Sequence, residues 1–221
     1  MTQRKRFFII DGMALVYRSF YALSSMGLTR SDGTPVSAIL GTALFLSKLL
    51  LDEKPDYIAC AWDSKQKTFR AELYPEYKQN RLKAPDDLLA QLPFIKELFT
   101  CYGIPMIEMP GVEADDLIAS IALSQDRKEI EVFIVAGDKD YMQILCDGIS
   151  LYIPKKSDMS EVVTADKVRE RFGFEPMHII DYLALMGDSS DNVPGVKGIG
   201  EKTAQFLVST YGNVENIYAN L

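Results

Sequence analysis

Phe7-Phe-Ile-Ile-Asp11, Tyr57-Ile-Ala-Cys-Ala-Trp62-Asp63 and Val132-Phe-Ile-Val-Ala-Gly-Asp138 share one pattern, a short apolar run that stops at an aspartate. Runs of this length and β-branched or aromatic content read as strands buried on both faces. Phe7–Ile10, Tyr57–Trp62, Pro105–Glu108, Glu131–Ala136 and Ile149–Pro154 all qualify. Longer amphipathic segments separate them, at Met13–Leu23, Ser37–Leu51, Asp86–Tyr102, Glu113–Ser124 and Lys139–Leu145. The alternation predicts an α/β fold, a mostly parallel central sheet with helices on both faces. Ligands of open α/β sheets bind outside the carboxyl ends of the strands. Asp11, Asp63 and Asp138 are therefore expected to converge on one crevice.

Other acids fall where they can join them. Glu113, Asp115 and Asp116 open a helix after Pro110-Gly111, Asp140 follows Asp138 by two, and Asp188 and Asp191 flank Ser189-Ser190 at a helix end. Each has an ordinary explanation alone: an acid in a first helical turn suits the helix dipole, and an aspartate after a strand forms turns. Their coincidence does not, because two carboxylates at about 4 Å repel by about 4 kcal/mol in a semi-polar site. With one histidine in the chain and few lysines nearby, a pair of Mg²⁺ or Mn²⁺ ions is the expected counter-charge. Two such ions suit phosphodiester hydrolysis and need no histidine.

Between Asp63 and Pro85 the charge reverses. Lys65, Lys67, Arg70, Lys78, Arg81 and Lys83 outnumber Glu72 and Glu76, with Phe69, Tyr74 and Tyr77 among them. Basic groups interleaved with aromatics suit single-stranded nucleic acid, although a solvated loop has the same composition. Ser64–Ala84 fits neither strand nor core helix and is expected to be a mobile connection. From about Thr164 the pattern turns to short helices, Ala165–Phe172 capped by Thr164 and a second from Pro176 to Met186. Gly195-Val-Lys197-Gly198-Ile-Gly200-Glu-Lys202 then leads into a helix at Glu201–Tyr211. This glycine turn follows a helix, unlike the dinucleotide fingerprint. It can stop a helix, or it can offer backbone N–H groups to the phosphates of a duplex without reading bases.

Composition sets the remaining bounds. The 221 residues carry a net charge of −7, an argument against a nucleic-acid partner unless the excess acid sits in one place and is neutralised by cations. No apolar run is long enough to cross a membrane, and Asp11 ends the first one too early for a signal peptide. Cys60, Cys101 and Cys146 are odd in number and far apart, and read as reduced core residues of a cytoplasmic protein. His178, in a helix-like stretch, is expected to be structural.

The pieces together resemble a known family. Ile10-Asp11-Gly12, Asp63 with Lys67-Thr-Phe-Arg70, Tyr77-Lys78-Gln-Asn-Arg81, Gly111-Val-Glu-Ala-Asp-Asp116, Gly137-Asp-Lys-Asp140 and Leu185-Met-Gly-Asp188-Ser-Ser-Asp191-Asn-Val-Pro-Gly-Val-Lys-Gly-Ile-Gly200-Glu-Lys-Thr-Ala204 run in order through nearly the whole chain. They are similar to the 5′-nuclease domain of bacterial DNA polymerase I and to flap endonucleases. The resemblance implies a PIN/resolvase-like core over residues 1–175, with a basic arch at about 64–85, and a helical helix-hairpin-helix region over 176–221 that stops short of the family's full length. It implies a monomeric, structure-specific 5′-3′ exonuclease and flap endonuclease acting on DNA with 5′ flaps, nicks or RNA primers, with a polymerase domain in the same full-length chain.

By the same resemblance Asp63, Asp115, Asp138 and Asp140 are the nearest ligands of two divalent ions. Asp11, Glu113, Asp116, Asp188 and Asp191 bind through water or complete a second site. Lys78 and Arg81, with Arg70 beside them, grip the scissile phosphate. Tyr17, Arg18 and Tyr77 contact the nucleotide next to it. Gly195, Lys197, Gly198, Gly200 and Lys202 meet the duplex, where a K⁺ ion can sit.

Two rival readings differ in class. A phosphatase of the haloacid dehalogenase type also uses a strand-end aspartate and a Gly-Asp-Ser-x-x-Asp pattern, but it needs a second aspartate where this chain has Met13. A non-catalytic module that binds DNA structure would have to keep the whole acid set at a cost in like-charge repulsion.

Overall fold

The computed structural model describes residues 3–155 and 160–220. The elements follow in the order β1 (Lys5–Asp11), α1 (Gly12–Leu23), α2 (Ser37–Glu53), β2 (Tyr57–Trp62), α3 (Phe69–Leu73), α4 (Asp86–Leu89), α5 (Leu92–Cys101), β3 (Met106–Glu108), α6 (Ala114–Ser124), β4 (Ile130–Val135), β5 (Ile149–Pro154), β6 (Ser160–Val163), α7 (Ala165–Phe172), α8 (Ile179–Met186), α9 (Glu201–Tyr211) and α10 (Val214–Ala219). The strands form one sheet in the order β3-β2-β1-β4-β5-β6, parallel except for β6, which runs antiparallel to β5.

Apolar residues on both sides of each strand explain the two-faced packing. Successive side chains of a strand point to opposite faces. Phe8 and Ile10 therefore join Cys60, Trp62, Phe133 and Val135 under α1, α2 and α5, while Ile9 joins Ala61, Val132 and Ile134 under α6, α7 and α8. Phe8, Ile9 and Ile10 are fully buried, each contributing about 2 kcal/mol from area removed from water. The strand order reverses between β1 and β4, the place where such sheets open a crevice. Register puts Asp11 opposite Ala61, two residues before Asp63, and Ile10 opposite Val135, three before Asp138. Asp11 caps α1 by accepting from the Ala14 N–H at 2.9 Å. Gly12 lets that helix start against β2, since a Cβ there would lie 2.9 Å from the Trp62 ring and the Ala61 carbonyl.

Several elements differ from the sequence expectation. The helix expected over Asp86–Tyr102 is broken into α4 and α5. Pro93 cannot sit in a helix interior, and the buried Gln91 at the break accepts from the Ala38 and Ile39 N–H groups at 2.8 and 3.2 Å, capping α2. Lys139–Ile144 is a 3₁₀ turn and not an α-helix, with Asp138 accepting from the Asp140 N–H at 3.0 Å. The stretch expected to be a mobile connection contains α3. The strand β6 and the helix α10 have no counterpart in the expectation. All three cysteines are free, as expected, but Cys101 is exposed on α5 and only Cys60 is a buried core residue. No described helix is long and apolar enough to cross a membrane.

A candidate metal centre under a basic arch

The carboxyl edge of the sheet gathers the acids, and backbone N–H groups hold five of them, among them Asp115, which accepts from Asp116 at 2.7 Å. Asp11 accepts from Ala14, Asp63 from Ala114 at 2.9 Å, Asp138 from Asp140 at 3.0 Å, and Asp188 from Ser190 at 2.8 Å. Each bond fixes one oxygen, and on Asp11 the other already accepts from Tyr141. Glu113 is 5% exposed at the start of α6. It accepts from Thr68 Oγ1 at 3.1 Å, Tyr77 Oη at 3.0 Å and Lys78 Nζ at 2.7 Å.

The arch, residues 64–85, supplies the opposite charge. Arg70 makes a two-pronged bond to Asp116 at 2.6 and 2.8 Å, and Lys78 reaches Asp191 as well as Glu113, at 3.8 Å. Arg81 bonds directly to Asp191, and Tyr77 Oη also donates to that residue at 3.0 Å. The Asp116 bonds push the Arg70 guanidinium above its ordinary range. Burial, together with Asp191 and Glu113, does the same to the Tyr77 phenol.

Among the described residues, Asp11, Asp115 and Asp140 form no ion pair with the arch. All three are raised to about 6, in every case by burial first. For Asp11 the neighbouring charges of Asp63 and Asp138 add to it, for Asp115 those of Glu113 and Asp116, and for Asp140 those of Asp138, Asp188 and Asp191. Asp140 Oδ1 is buried with no hydrogen-bond partner among the described residues. Among the described residues no three Asp, Glu, His or Cys side chains stand close enough to hold a metal ion as they are. The nine acids expected as ligands are thus brought to one edge, but Arg70, Lys78 and Arg81 lie among them. The donor chemistry still fits a hard divalent cation: the set is all oxygen, it carries an orphaned buried carboxylate oxygen, and like charge is left uncompensated.

Two family descriptions match the sequence: the 5′-3′ exonuclease N-terminal resolvase-like domain over residues 6–173 and the 5′-3′ exonuclease C-terminal SAM fold over 174–221. The chain belongs to the 5′-3′ exonuclease family. It is 44% identical over 216 residues to a 5′-3′ exonuclease of Aquifex aeolicus, covering 98% of this chain and 73% of that protein. It is 41% identical over 222 residues to DNA polymerase I of Bacillus subtilis, covering 100% of this chain but 25% of the polymerase. The fold is shared with the T5 5′-exonuclease, at a TM-score of 0.77, 24% identity and coverage of 98% and 79% of the two chains. It is also shared with flap endonuclease-1 from Methanococcus jannaschii, at a TM-score of 0.62, 21% identity and coverage of 98% and 74%.

The other candidate residues of this exonuclease-family chain lie on α1, in the glycine turn before α9 and in the first turn of α9. Arg18 on α1 lines a cavity of about 560 Å³ together with Ala14, Asp138, Lys139 and Ser190. Tyr17 stacks on Tyr21 with ring centres 6.3 Å apart. Gly200 is the residue before α9, Gly198 has φ +87°, and Lys197 and Lys202 are exposed beside them. Gly195 has a packing reason of its own: a Cβ there would lie 2.3 Å from the Met186 carbonyl carbon. His178 lies 3.3 Å from Asp181.

Sequence reasoning missed four contributors. Tyr141 donates to Asp11 at 3.1 Å from a buried position, its phenol pushed well up by burial and the Asp11 charge. Thr68 donates to Glu113, and Lys139 lies 3.6 Å from Asp188. Asn192 donates to the Glu76 carbonyl at 2.8 Å. Lys139 and Tyr141 sit beside or just after Asp138 and Asp140, so their proximity was readable, but their direction depends on the 3₁₀ turn.

Proposed function

We propose that this chain is a 5′ nuclease that hydrolyses phosphodiesters of 5′-ended DNA strands and RNA primers at the acid centre, with two divalent cations, Mg²⁺ or Mn²⁺. The observation that carries the reading is the convergence of carboxylates from β1, β2, β4, α6 and the 188–191 turn beneath a basic arch. The T5 5′-exonuclease has been solved with divalent zinc ions, and a T5 flap endonuclease variant with DNA and metal ions. Asp63, Asp115, Asp138 and Asp140 would hold the ions most directly, with Asp11, Glu113, Asp116, Asp188 and Asp191 acting through water or at the second ion. Such ions supply a water nucleophile at neutral pH and charge to offset the departing oxygen.

The remaining work falls to the chain's own residues. Lys78 and Arg81, and beside them Arg70, are cations already held over the centre. A phosphate entering there offers them oxygens in place of the carboxylates they now bind, and guanidinium groups suit that geometry. Tyr17, Arg18 and Tyr77 would grip the adjacent nucleotide. Gly195–Gly200, Lys197 and Lys202 would hold the duplex by its backbone, with K⁺ as a further bridge. We further infer a cytoplasmic, monomeric protein whose full-length form carries a polymerase domain, a reading supported by the polymerase relatives of which this chain matches about a quarter.

One observation favours a second reading. Arg70, Lys78 and Arg81 already neutralise Glu113, Asp116 and Asp191, as they would in a module that binds DNA structure and does not cut. Cleavage of labelled 5′-flap DNA with Mg²⁺, with EDTA, and by Asp138→Ala with Mg²⁺ separates the two. Cutting near the flap junction that needs both the metal and Asp138 is expected. Tight binding by folded protein with no metal-dependent cutting would give the function to the binding module.

A further inference from the structure

The arch reaches the acids by two routes, ion pairs to their carboxylates and bonds to main-chain carbonyls. Beside the ion pairs, four of its groups end on the main-chain carbonyls of the 189–192 turn. Asn80 Nδ2 donates to the Ser189 carbonyl at 2.6 Å and Arg81 Nε to that of Ser190 at 3.3 Å. The Lys78 N–H donates to the Asp191 carbonyl at 2.9 Å and Tyr74 Oη to that of Asn192 at 3.2 Å. In return Asn192 Nδ2 donates to the Glu76 carbonyl at 2.8 Å.

Both sides of this contact carry strained backbone. Lys78 has φ +58° and Asn192 φ +59°. A lysine in the left-handed region costs about 1 kcal/mol or more, whereas asparagine tolerates it better. The turn is itself a closed unit: Asp188 and Val193 exchange two backbone bonds at 2.9 and 2.8 Å, and Ser190 N–H donates to Asp188. The left-handed Lys78 is held by its bond to Asp191, and in that conformation its ammonium reaches Glu113 at 2.7 Å.

We propose that Asn192 and Asn80 are positioning residues that latch the arch onto the 188–193 turn and so set where Lys78 and Arg81 stand over the centre. The inference rests on the nuclease reading above for its consequence, but the latch itself is a matter of carbonyl and amide geometry. The Asn80 and Asn192 amide bonds and the Lys78 N–H bond to carbonyls persist when a phosphate or a cation draws the Lys78 ammonium and the Arg81 guanidinium away from Glu113 and Asp191. The arch can then exchange its charge partners without losing its place, and the turn that carries Asp188 and Asp191 stays in register with it.

Two variants test the latch with little risk to the fold. Asn192→Gly keeps a residue at ease with a positive φ and removes the amide. Asn80→Asp changes an exposed side chain from donor to acceptor against the Ser189 carbonyl. Each is expected to slow single-turnover cleavage of 5′-flap DNA with Mg²⁺ about tenfold, the scale of a small misplacement of catalytic groups. Binding of the same DNA in EDTA should stay within about twofold, since the duplex is gripped elsewhere. Trypsin should cut after Lys78, Arg81 or Lys83 about tenfold faster in both variants, as a released segment opens locally, with thermal melting little changed.

Wild-type cleavage and wild-type trypsin sensitivity would overturn the latch and leave the nuclease reading intact. Slower cleavage matched by weaker DNA binding, or by a lower melting temperature, would also overturn it in favour of a general structural role. If the unsubstituted protein cuts no flap DNA, the nuclease reading fails, and trypsin sensitivity alone decides the latch.

Discussion

The acids of the centre and the cations of the arch face each other across a few ångströms, yet they are held in different ways. Asp11, Asp63, Asp138 and Asp188 are each fixed by a backbone N–H from the element that follows or packs beside them. Their places therefore follow from the sheet and helices and do not depend on what neutralises them. Lys78, Arg70 and Arg81 aim their charges by binding the carboxylates Glu113, Asp116 and Asp191. That arrangement answers to whatever charge lies below. One side of the centre is preorganised by main chain, and the other is exchangeable.

The sharpest way to break this comparison is to remove one member of each side. Asp138→Ala should lower flap cleavage about a thousandfold or more if, as proposed, it removes a metal ligand, with little change in thermal stability. Lys78→Ala and Arg81→Ala should each cost about 10- to 100-fold, because on the proposed reading each removes one of several cations that bind the phosphate. Equal losses on the two sides in single-turnover rates would end the distinction.

Next in size is the support beneath the turn. Gly195→Ala forces a Cβ to within 2.3 Å of Met186 main chain and should destabilise the protein by about 1–3 kcal/mol in urea unfolding. Gly198→Ala meets open space and suffers only its φ of +87°, for about 1 kcal/mol. A Gly195→Ala protein as stable as the parent would show that the turn yields, and with it the register between turn and arch.

A pH titration sharpens the comparison further. Asp11, Asp115 and Asp140 have folded-state values of about 6, above the ordinary carboxylate range. Between about pH 4 and 6 the folded state binds more protons than the unfolded one, so stability falls as pH rises through this window. The metal-free protein should therefore gain roughly 1–3 kcal/mol from these groups on going from pH 7.5 to 5. Mg²⁺ should erase the difference by stabilising the protein at pH 7.5, where the acids are charged. Thermal melting at the two pH values with and without Mg²⁺ reads this directly, and a metal-free protein more stable at pH 7.5 would contradict it.

The smallest effects belong to the helical hairpin. Lys197→Ala and Lys202→Ala should each weaken duplex binding by a few-fold and lower the salt slope by about one. The cleavage rate at saturating DNA should stay the same, because neither residue borders the acids.

How much could be read beforehand varied with the kind of information each feature needs. The strands around Asp11, Asp63 and Asp138 were legible because a strand buried on both faces must be apolar at every position, whatever its neighbours. The break at Gln91 was not, since Pro93 signals a disruption but nothing local says that Gln91 will turn inward to cap α2. Cys101 was misread as core because apolar neighbours in sequence do not fix which side of α5 a residue faces. Of the centre, the acids stood out by their coincidence at strand and helix ends. Tyr141 and Asn192 did not, because a side-chain donor is specified by a direction that only its neighbours determine.

The sequence by itself determined the α/β class, the carboxyl-edge location of the acids, and the family through the ordered motifs from Ile10 to Ala204. These rest on composition and spacing along one chain, where periodicity and strand ends act locally. Only the tertiary structure decided that Arg70, Lys78 and Arg81 bind Asp116, Glu113 and Asp191 in that pairing, and that the arch is fastened to the 189–192 carbonyls. Those contacts join residues more than 30 or more than 100 positions apart. Charge alone permits many such pairings, and the one adopted is selected by where backbone carbonyls and helix starts come to lie once the sheet has closed.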